Sequence, residues 1–228
     1  MAVHLVDIGK AFEGTIPLSI LKRVCRHTLL ALEYLHDSYI KGESIFMSGE
    51  PLAYDDTRTI SRNELQTCIF TLGDLGSAQA KSNDNRPRWV QPLASRSPEV
   101  ILGTSYDTKI DIWNLACLIY EFATGEPLFD PPADGAVVHL AQIENLLGSF
   151  PSALLARSQD TVEYFDAEGE TAYTLCIAIA LTKLEKSKSA PDEIHVFTEF
   201  LGSALQVDPK TRSSASMLLS HPWLAGVQ

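Results

Sequence analysis

The spacing of apolar residues along the chain predicts a mainly helical fold. From Pro17 to His36 the apolar positions recur every three or four residues and share one helix face, and Pro17 suits a first turn. Residues 109–124 are apolar nearly all round, which is typical of a helix buried on every side. Gly125 and Pro127 then end the pattern, so this segment is expected to form the centre of a helical domain.

Further helices are predicted in the second half of the chain. Residues 137–147 have an amphipathic pattern, and Pro191 opens a helix that Asp208–Pro209 ends. Ser213 or Ser214 is expected to cap a short final helix, because a hydroxyl at that position accepts hydrogen bonds from free backbone N–H groups. The whole pattern indicates five or six helices and very little strand.

The first half of the chain also contains short segments of β type. Strands are predicted around residues 44–47 and 51–53, and more clearly over Cys68–Leu72. Residues 77–97 turn polar and predict a long loop, and long ordered loops are usually functional.

The net charge of the chain limits which kinds of molecule can be its binding partners. The chain has 228 residues, which suits a single domain, and 18 Lys and Arg against 29 Asp and Glu give a formal net charge of −11. This balance excludes a broad nucleic-acid-binding surface, because such a surface needs a basic patch. A partner or substrate that is itself basic stays open.

Most of the net negative charge comes from residues 126–170, which lie inside a segment, 126–190, that we interpret as acidic and variable. The stretch 126–170 has one basic residue, Arg157, and nine acidic residues: Glu126, Asp130, Asp134, Glu144, Asp160, Glu163, Asp166, Glu168 and Glu170. Two interpretations stay open. The segment either docks a basic, Arg-rich partner or is a solvated, partly disordered insert that improves solubility.

Cysteines and histidines add little chemistry. The four cysteines lie far apart, so we interpret them as reduced core residues and expect an intracellular location, cytoplasmic or nuclear. No secretory signal and no membrane span is indicated. The six histidines lack metal-ligand spacing and are interpreted as structural or surface residues.

Four short motifs occur in a fixed order. Asp74-Leu75-Gly76 follows a predicted strand, Ser97–Gly103 follows the polar loop, Asp111–Cys117 opens the buried helix, and Asp208–Arg212 precedes the last helix. As an ordered set they resemble the C-terminal lobe of a eukaryotic protein kinase, and the runs RSPEVILG and DIWNLACLIYEFATGEPLF look most like the SR-protein kinases. The resemblance implies a single partial kinase domain over residues 1–228. Its fold would be the large helical lobe, with a few short strands near the catalytic loop.

The resemblance also implies roles in nucleotide binding. Asp74 matches the residue that holds Mg²⁺ against the phosphates of ATP. Lys41, Ser44 and Phe46 fall at the positions of the family's catalytic-loop lysine, its metal-binding asparagine and the apolar floor of its adenine site. ATP and Mg²⁺ are therefore expected as ligands by resemblance only.

Other matched residues are structural in the family. Glu99 and Arg212 match an ion pair that ties the end of the activation loop to the final helices. Asp111 matches a residue that holds the backbone of the catalytic loop, and Trp113 lies in the same run. Residues 96–98 match the segment where a substrate would lie.

Departures from the family pattern predict that this chain is catalytically inactive. It contains no glycine-rich phosphate loop and no strand lysine, and it is expected to begin near the hinge between the kinase lobes. Between Leu35 and Phe46 the residues that would include the catalytic aspartate are deleted, so no residue is assigned as catalytic. We expect a pseudokinase-like module that binds a basic Arg/Ser-rich protein. The alternative is an incomplete gene model of an active ATP-dependent serine/threonine kinase that phosphorylates such proteins.

Overall fold

The structure is a computed structural model, and every structural statement refers to the residues that it describes. These are residues 15–38, 40–41, 69–72, 79–80, 90–158, 160–165 and 191–227. Within them the protein is mainly helical, as predicted. None of the helices in these ranges is both long and apolar enough to cross a lipid bilayer.

The described elements follow one another in a simple order. The helices are α1 (Leu18–Asp37), α2 (Pro98–Ile101), α3 (Lys109–Thr124), α4 (Ala136–Leu147), α5 (Ser152–Leu155), α6 (Thr161–Tyr164), α7 (Pro191–Ala204) and α8 (Ala215–Leu219). Two 3₁₀ turns lie at Leu93–Ser95 and Pro222–Leu224. Strand β1 (Ile40–Lys41) pairs antiparallel with β2 (Gln79–Ala80), with Ile40 opposite Ala80.

Helix α3 is the centre of the core because it has no polar face. Its side chains Ile112, Trp113 and Ile119 are fully buried, and the helix packs against α1 and α7. Ile16, which precedes α1, donates its backbone N–H to the carbonyl of Phe122 at 2.7 Å and so fixes the start of α1 beside α3.

The C-terminal elements close the core over α1. Helix α1 buries Leu21 and Leu29 on the face that its periodicity predicts, and it packs against α8. Trp223 in the last 3₁₀ turn packs against Phe197 and Phe200 of α7, with ring centroids 4.7 and 4.6 Å apart. Such aromatic clusters contribute strongly to stability because each ring removes a large apolar area from water.

The longer helices were predictable because their apolar pattern is regular. Helices α1, α3 and α4 begin and end within one residue of the predicted positions, and α7 begins at the predicted Pro191. Ser214 caps α8 as predicted, because its hydroxyl accepts from the backbone N–H of Met217 at 3.2 Å. The four-residue helices α2, α5 and α6 were not predicted, since one turn is too short to show a helical period.

The predicted strand over Cys68–Leu72 is wrong for residues 69–72, which are irregular. The backbone N–H of Phe70 donates to Nδ1 of His27 at 3.1 Å instead of to a neighbouring strand. The Phe70 ring packs on the core, whereas Ile69 is 79% exposed. Local β propensity was therefore overridden by a contact with α1. The predicted strands at 44–47 and 51–53 lie outside the described residues.

Much of the acidic segment is folded. Residues 126–158 and 160–165 contain α4, α5 and α6, and Ile143, Phe150 and Leu154 in them are buried against the core. The interpretation as a partly disordered insert therefore does not describe these residues. Residues 166–190 lie outside the described ranges.

Replacing Gly125 or Gly202 by alanine tests this architecture, because the two substitutions are expected to change the free energy of unfolding in opposite directions. Gly125 ends α3 with φ 79°, which an L side chain adopts only with strain, so Gly125→Ala is expected to lower the free energy of unfolding by about 1 kcal/mol. Gly202 lies inside α7 with open space around a Cβ, so Gly202→Ala is expected to raise the free energy of unfolding by up to about 1 kcal/mol. Urea unfolding followed by circular dichroism measures both free energies of unfolding. Changes of the same sign in the two variants would contradict the backbone conformations assigned to these glycines.

Candidate functional site

A fully buried ion pair joins α2 to the loop before α8. Nη1 of Arg212 lies 2.7 Å from Oε1 of Glu99, and Nη2 lies 2.9 Å from Oε2. Both side chains are 0% exposed, so neither charge is solvated by water. The two parallel bonds form the fork geometry in which arginine binds a carboxylate most strongly.

Arg212 also donates two hydrogen bonds to backbone carbonyls. Nε donates to the carbonyl of Gln206 at 3.0 Å, and Nη1 also donates to the carbonyl of Lys109 at 2.9 Å. The guanidinium carbon lies 5.0 Å from the ring centroid of Trp113, which places the cation over the indole face. The Lys109 ammonium donates in return to the carbonyl of Arg212. The start of α3 is thereby attached to the loop before α8.

Asp111 holds the end of α1. Its Oδ2 lies 2.9 Å from Nε2 of His36, and the exposed fractions of the two side chains are 2% and 12%. His36 is the last residue but one of α1, so this contact fixes the point at which the chain leaves the helix toward β1. The family role expected for Asp111, holding the catalytic-loop backbone, stays a prediction.

The chain forms a strained turn just before α2, and this turn contacts the start of α3. Gln91 is buried with φ 72°, a backbone conformation that a residue with a side chain rarely adopts. Its side-chain amide donates to the carbonyl of Ile110 at 2.8 Å and accepts from the backbone N–H of Ser97 at 2.9 Å. Arg96 donates to the carbonyls of Val90 and Gln91, both at 3.2 Å. Residues 90–97, which we call the Gln91 turn, are therefore held by side chains on both sides.

A cavity of about 580 Å³ opens beside the Gln91 turn. Its lining residues are Leu93, Arg96, Ile101, Ala133, Asp134, Ala136, Val137, His139, Glu163 and Tyr164. The cavity thus lies between the segment that carries Glu99 and the acidic segment with α4 and α6. Its walls combine apolar side chains with polar ones, with Arg96 on one side and the exposed carboxylates of Asp134 and Glu163 on the other.

His139 is the buried polar group of this cavity. Its side chain is 1% exposed, and neither ring nitrogen has a hydrogen-bond partner. Burial, and to a smaller extent the charge of Arg96, lowers its pKa to about 3, so the imidazole is neutral at physiological pH. The ring packs on Phe129 at 5.2 Å, and Phe129 stacks on Trp113 at 5.9 Å.

Only some of the predicted site residues lie among the residues that the structure describes. Glu99, Arg212, Asp111 and Trp113 all lie within one contiguous region around the start of α3. Lys41 lies in β1, and nothing is described of its side chain. Asp74, Ser44 and Phe46, the expected nucleotide and metal ligands, lie outside the described residues.

The described residues contain no preformed cluster of metal ligands. Among them, no three histidine, cysteine or carboxylate side chains gather closely enough to hold a metal ion.

Sequence reasoning missed two features of the site. Gln91 looked like one more polar residue of a loop, because a positive φ at a residue other than glycine or asparagine has no sequence signal. His139 was interpreted only as structural or surface. Its position on the apolar face of the predicted helix 137–147 was the available sign that it is buried.

Comparison with known proteins identifies the family. Residues 3–224 match the protein kinase domain. The chain belongs to the protein kinase family. Family members in general use ATP with Mg²⁺.

The relatives include kinases of the expected subgroup. Serine/threonine-protein kinase SRPK of Physarum polycephalum is 28% identical over 98% of this chain. Serine/threonine-protein kinase SKY1 of Saccharomyces cerevisiae is 36% identical over 67% of it, and a serine/threonine protein kinase of Aspergillus fumigatus is 30% identical over 92%. The predicted similarity to SR-protein kinases is confirmed. The chain spans 65%, 21% and 59% of these relatives, less than two thirds of each.

The Glu99–Arg212 pair predicts a specific pattern of stabilities. Glu99→Gln or Arg212→Met alone leaves a buried charge without its partner and is expected to cost about 3–5 kcal/mol of unfolding free energy. The double variant Glu99→Gln/Arg212→Met removes both charges, so its cost is expected to be well below the sum of the two. Urea unfolding of the four proteins measures the coupling.

The matched control for this cycle is the more exposed pair of Arg157 and Asp208, whose atoms are 3.1 Å apart. Arg157→Met is expected to cost less than about 1 kcal/mol. A Glu99→Gln variant no less stable than Arg157→Met would show that the buried pair does not organise the fold.

Proposed function

We propose that this chain is a binding module of the protein kinase family that docks a basic Arg/Ser-rich protein in the cavity beside the Gln91 turn. The observation that carries the proposal is the composition of that cavity, which we call the docking cavity. It combines apolar side chains with two exposed acidic residues, Asp134 and Glu163.

The chemistry of the docking cavity suits an arginine side chain. The apolar side chains of the lining, among them Leu93 and Val137, match the aliphatic stem of arginine, which packs on apolar surface while its charged end stays near water. Asp134 precedes α4 and Glu163 belongs to α6, so a guanidinium at the mouth has acceptors available from two different elements.

The charge of the whole chain supports the same partner. A formal charge of −11 attracts a basic chain from a distance and repels an acidic one, which favours fast association at low salt. Because the contacts at Asp134 and Glu163 are exposed, salt is expected to weaken them.

We further propose that the chain does not transfer phosphate by itself. The sequence between Leu35 and Phe46 lacks the residues that would include the catalytic aspartate, the group that positions a substrate hydroxyl in the family. Positioning and charge stabilisation supply nearly all of the rate of phosphoryl transfer, so their loss removes most of the catalysis.

The alternative is that these 228 residues are part of an active serine/threonine kinase that phosphorylates Arg/Ser-rich proteins. It is favoured by the greater length of the relatives, of which the chain spans less than two thirds. Either form is proposed to be intracellular, because Cys25 and Cys117 are buried free thiols, as a reducing compartment allows.

Docking is tested by the affinity of the chain for an arginine/serine repeat peptide. Asp134→Asn and Glu163→Gln are each expected to weaken binding several-fold, because each removes a carboxylate acceptor, and raised salt is expected to shrink the difference. Isothermal titration calorimetry at two salt concentrations measures this. Asp130→Asn is the control, since Asp130 is an exposed acid of the same segment that does not line the cavity. Equal losses in all three variants would mean that only overall charge matters.

Inactivity is tested on the same purified chain. With ATP, Mg²⁺ and the arginine/serine peptide, we expect no phosphate incorporation above a control without the chain, because the positioned base is absent. Mass spectrometry of the peptide measures the result. Rapid phosphorylation that depends on the chain would overturn the inactive reading and leave docking as a substrate-binding step.

A further inference from the structure

The Gln91 turn is held in an unfavourable backbone conformation. Gln91 is the one non-glycine residue in the described ranges with a positive φ, 72°, and it is 7% exposed. Such a conformation persists only where the surroundings determine it, and it commonly occurs at switch regions and ligand-binding segments. Specific contacts must therefore maintain the positive φ of Gln91.

Two side chains maintain the turn. The amide of Gln91 connects the start of α3 to Ser97, whose backbone N–H and hydroxyl donate to Oε1 at 2.9 and 3.0 Å. Arg96 reaches back from the other end, and Nε and Nη2 donate to the carbonyls of Val90 and Gln91. The two carbonyls next to the strained φ are thus bound by a single guanidinium.

The same residue lines the docking cavity. Arg96 lines the cavity together with His139, and its positive charge acts on that imidazole. One side chain therefore takes part both in the geometry of the turn and in the surface that a docked peptide would cover.

We propose that Arg96 is a positioning residue that couples occupancy of the docking cavity to the order of the Gln91 turn. This inference rests on the proposed docking function. A peptide in the cavity displaces the water that competes for the guanidinium of Arg96. Its bonds to the two carbonyls then lie in a medium of lower dielectric, where they are stronger. Because coupling is reciprocal, an ordered turn must favour peptide binding by the same factor.

The proposed coupling and simple electrostatics predict opposite effects of removing Arg96 on the affinity for the peptide. Arg96 is a cation facing a cationic peptide, so charge alone predicts that its removal tightens binding. If Arg96 orders the wall of the cavity, its removal weakens binding. The affinity of the variant Arg96→Met for the peptide therefore distinguishes the charge effect from the ordering effect. Lys210→Met is the matched control, because it removes one positive charge from an exposed lysine that does not line the docking cavity.

The experiment measures two quantities for each protein. Calorimetry gives the affinity for the arginine/serine peptide, and hydrogen–deuterium exchange gives the protection of the amides in residues 90–97 with and without peptide. We expect peptide to slow exchange in this turn of the wild-type chain. Arg96→Met is expected to bind about five-fold more weakly or worse and to lose the peptide-dependent protection. Lys210→Met should behave as wild type or bind slightly more tightly.

Each other outcome decides between the two proposals. No peptide binding by the wild-type chain overturns docking and coupling together. Binding without any change in exchange at residues 90–97, or tighter binding by Arg96→Met, overturns the coupling and leaves docking intact. If circular dichroism shows that Arg96→Met is unfolded, Arg96→Lys replaces it. That variant keeps the charge but loses the planar fork, so weaker binding supports the coupling and unchanged binding overturns it.

Discussion

Glu99 and Arg212 are both without contact to water, so each charge depends on the other for its stabilisation. Burial of a lone carboxylate or guanidinium would be prohibitive, and the paired geometry removes that cost only when both residues are in place. Since Arg212 also binds the carbonyl of Lys109 and lies over Trp113, the requirement extends to the start of α3. The position of α2 relative to the helical core therefore follows from one electrostatic constraint.

The docking cavity is a consequence of that constraint. Its front wall includes Ile101 of α2 and Arg96 just before it, both fixed by their proximity to Glu99. Its rear wall is α4, where His139 contacts Phe129, which stacks in turn on Trp113. The rear wall thus rests on an aromatic column that reaches the core helix α3. This rear wall is preorganised, so a partner loses less free energy in ordering it.

Sequence patterns predicted the part of this structure that depends on periodicity. The apolar run of α3 and the one-sided pattern of α1 follow from helix geometry, so their bounds could be predicted closely. The partnership of Glu99 with Arg212 came from resemblance, since no local rule joins residues so far apart. Gln91 could not be found, because its conformation is imposed by Arg96, Ser97 and Ile110. Tertiary contacts, not propensity, determine the candidate site.

The sequence distance within the buried pair has a consequence for biosynthesis. Glu99 and Arg212 are 113 positions apart. At a translation rate of about 5–20 residues per second, Glu99 exists for roughly 6–23 s before its partner is made. During that interval the carboxylate has no guanidinium to bind, so α2 cannot settle on α3 in its final place. A ribosome-bound chain must therefore keep this region open until the segment that carries Arg212 is made.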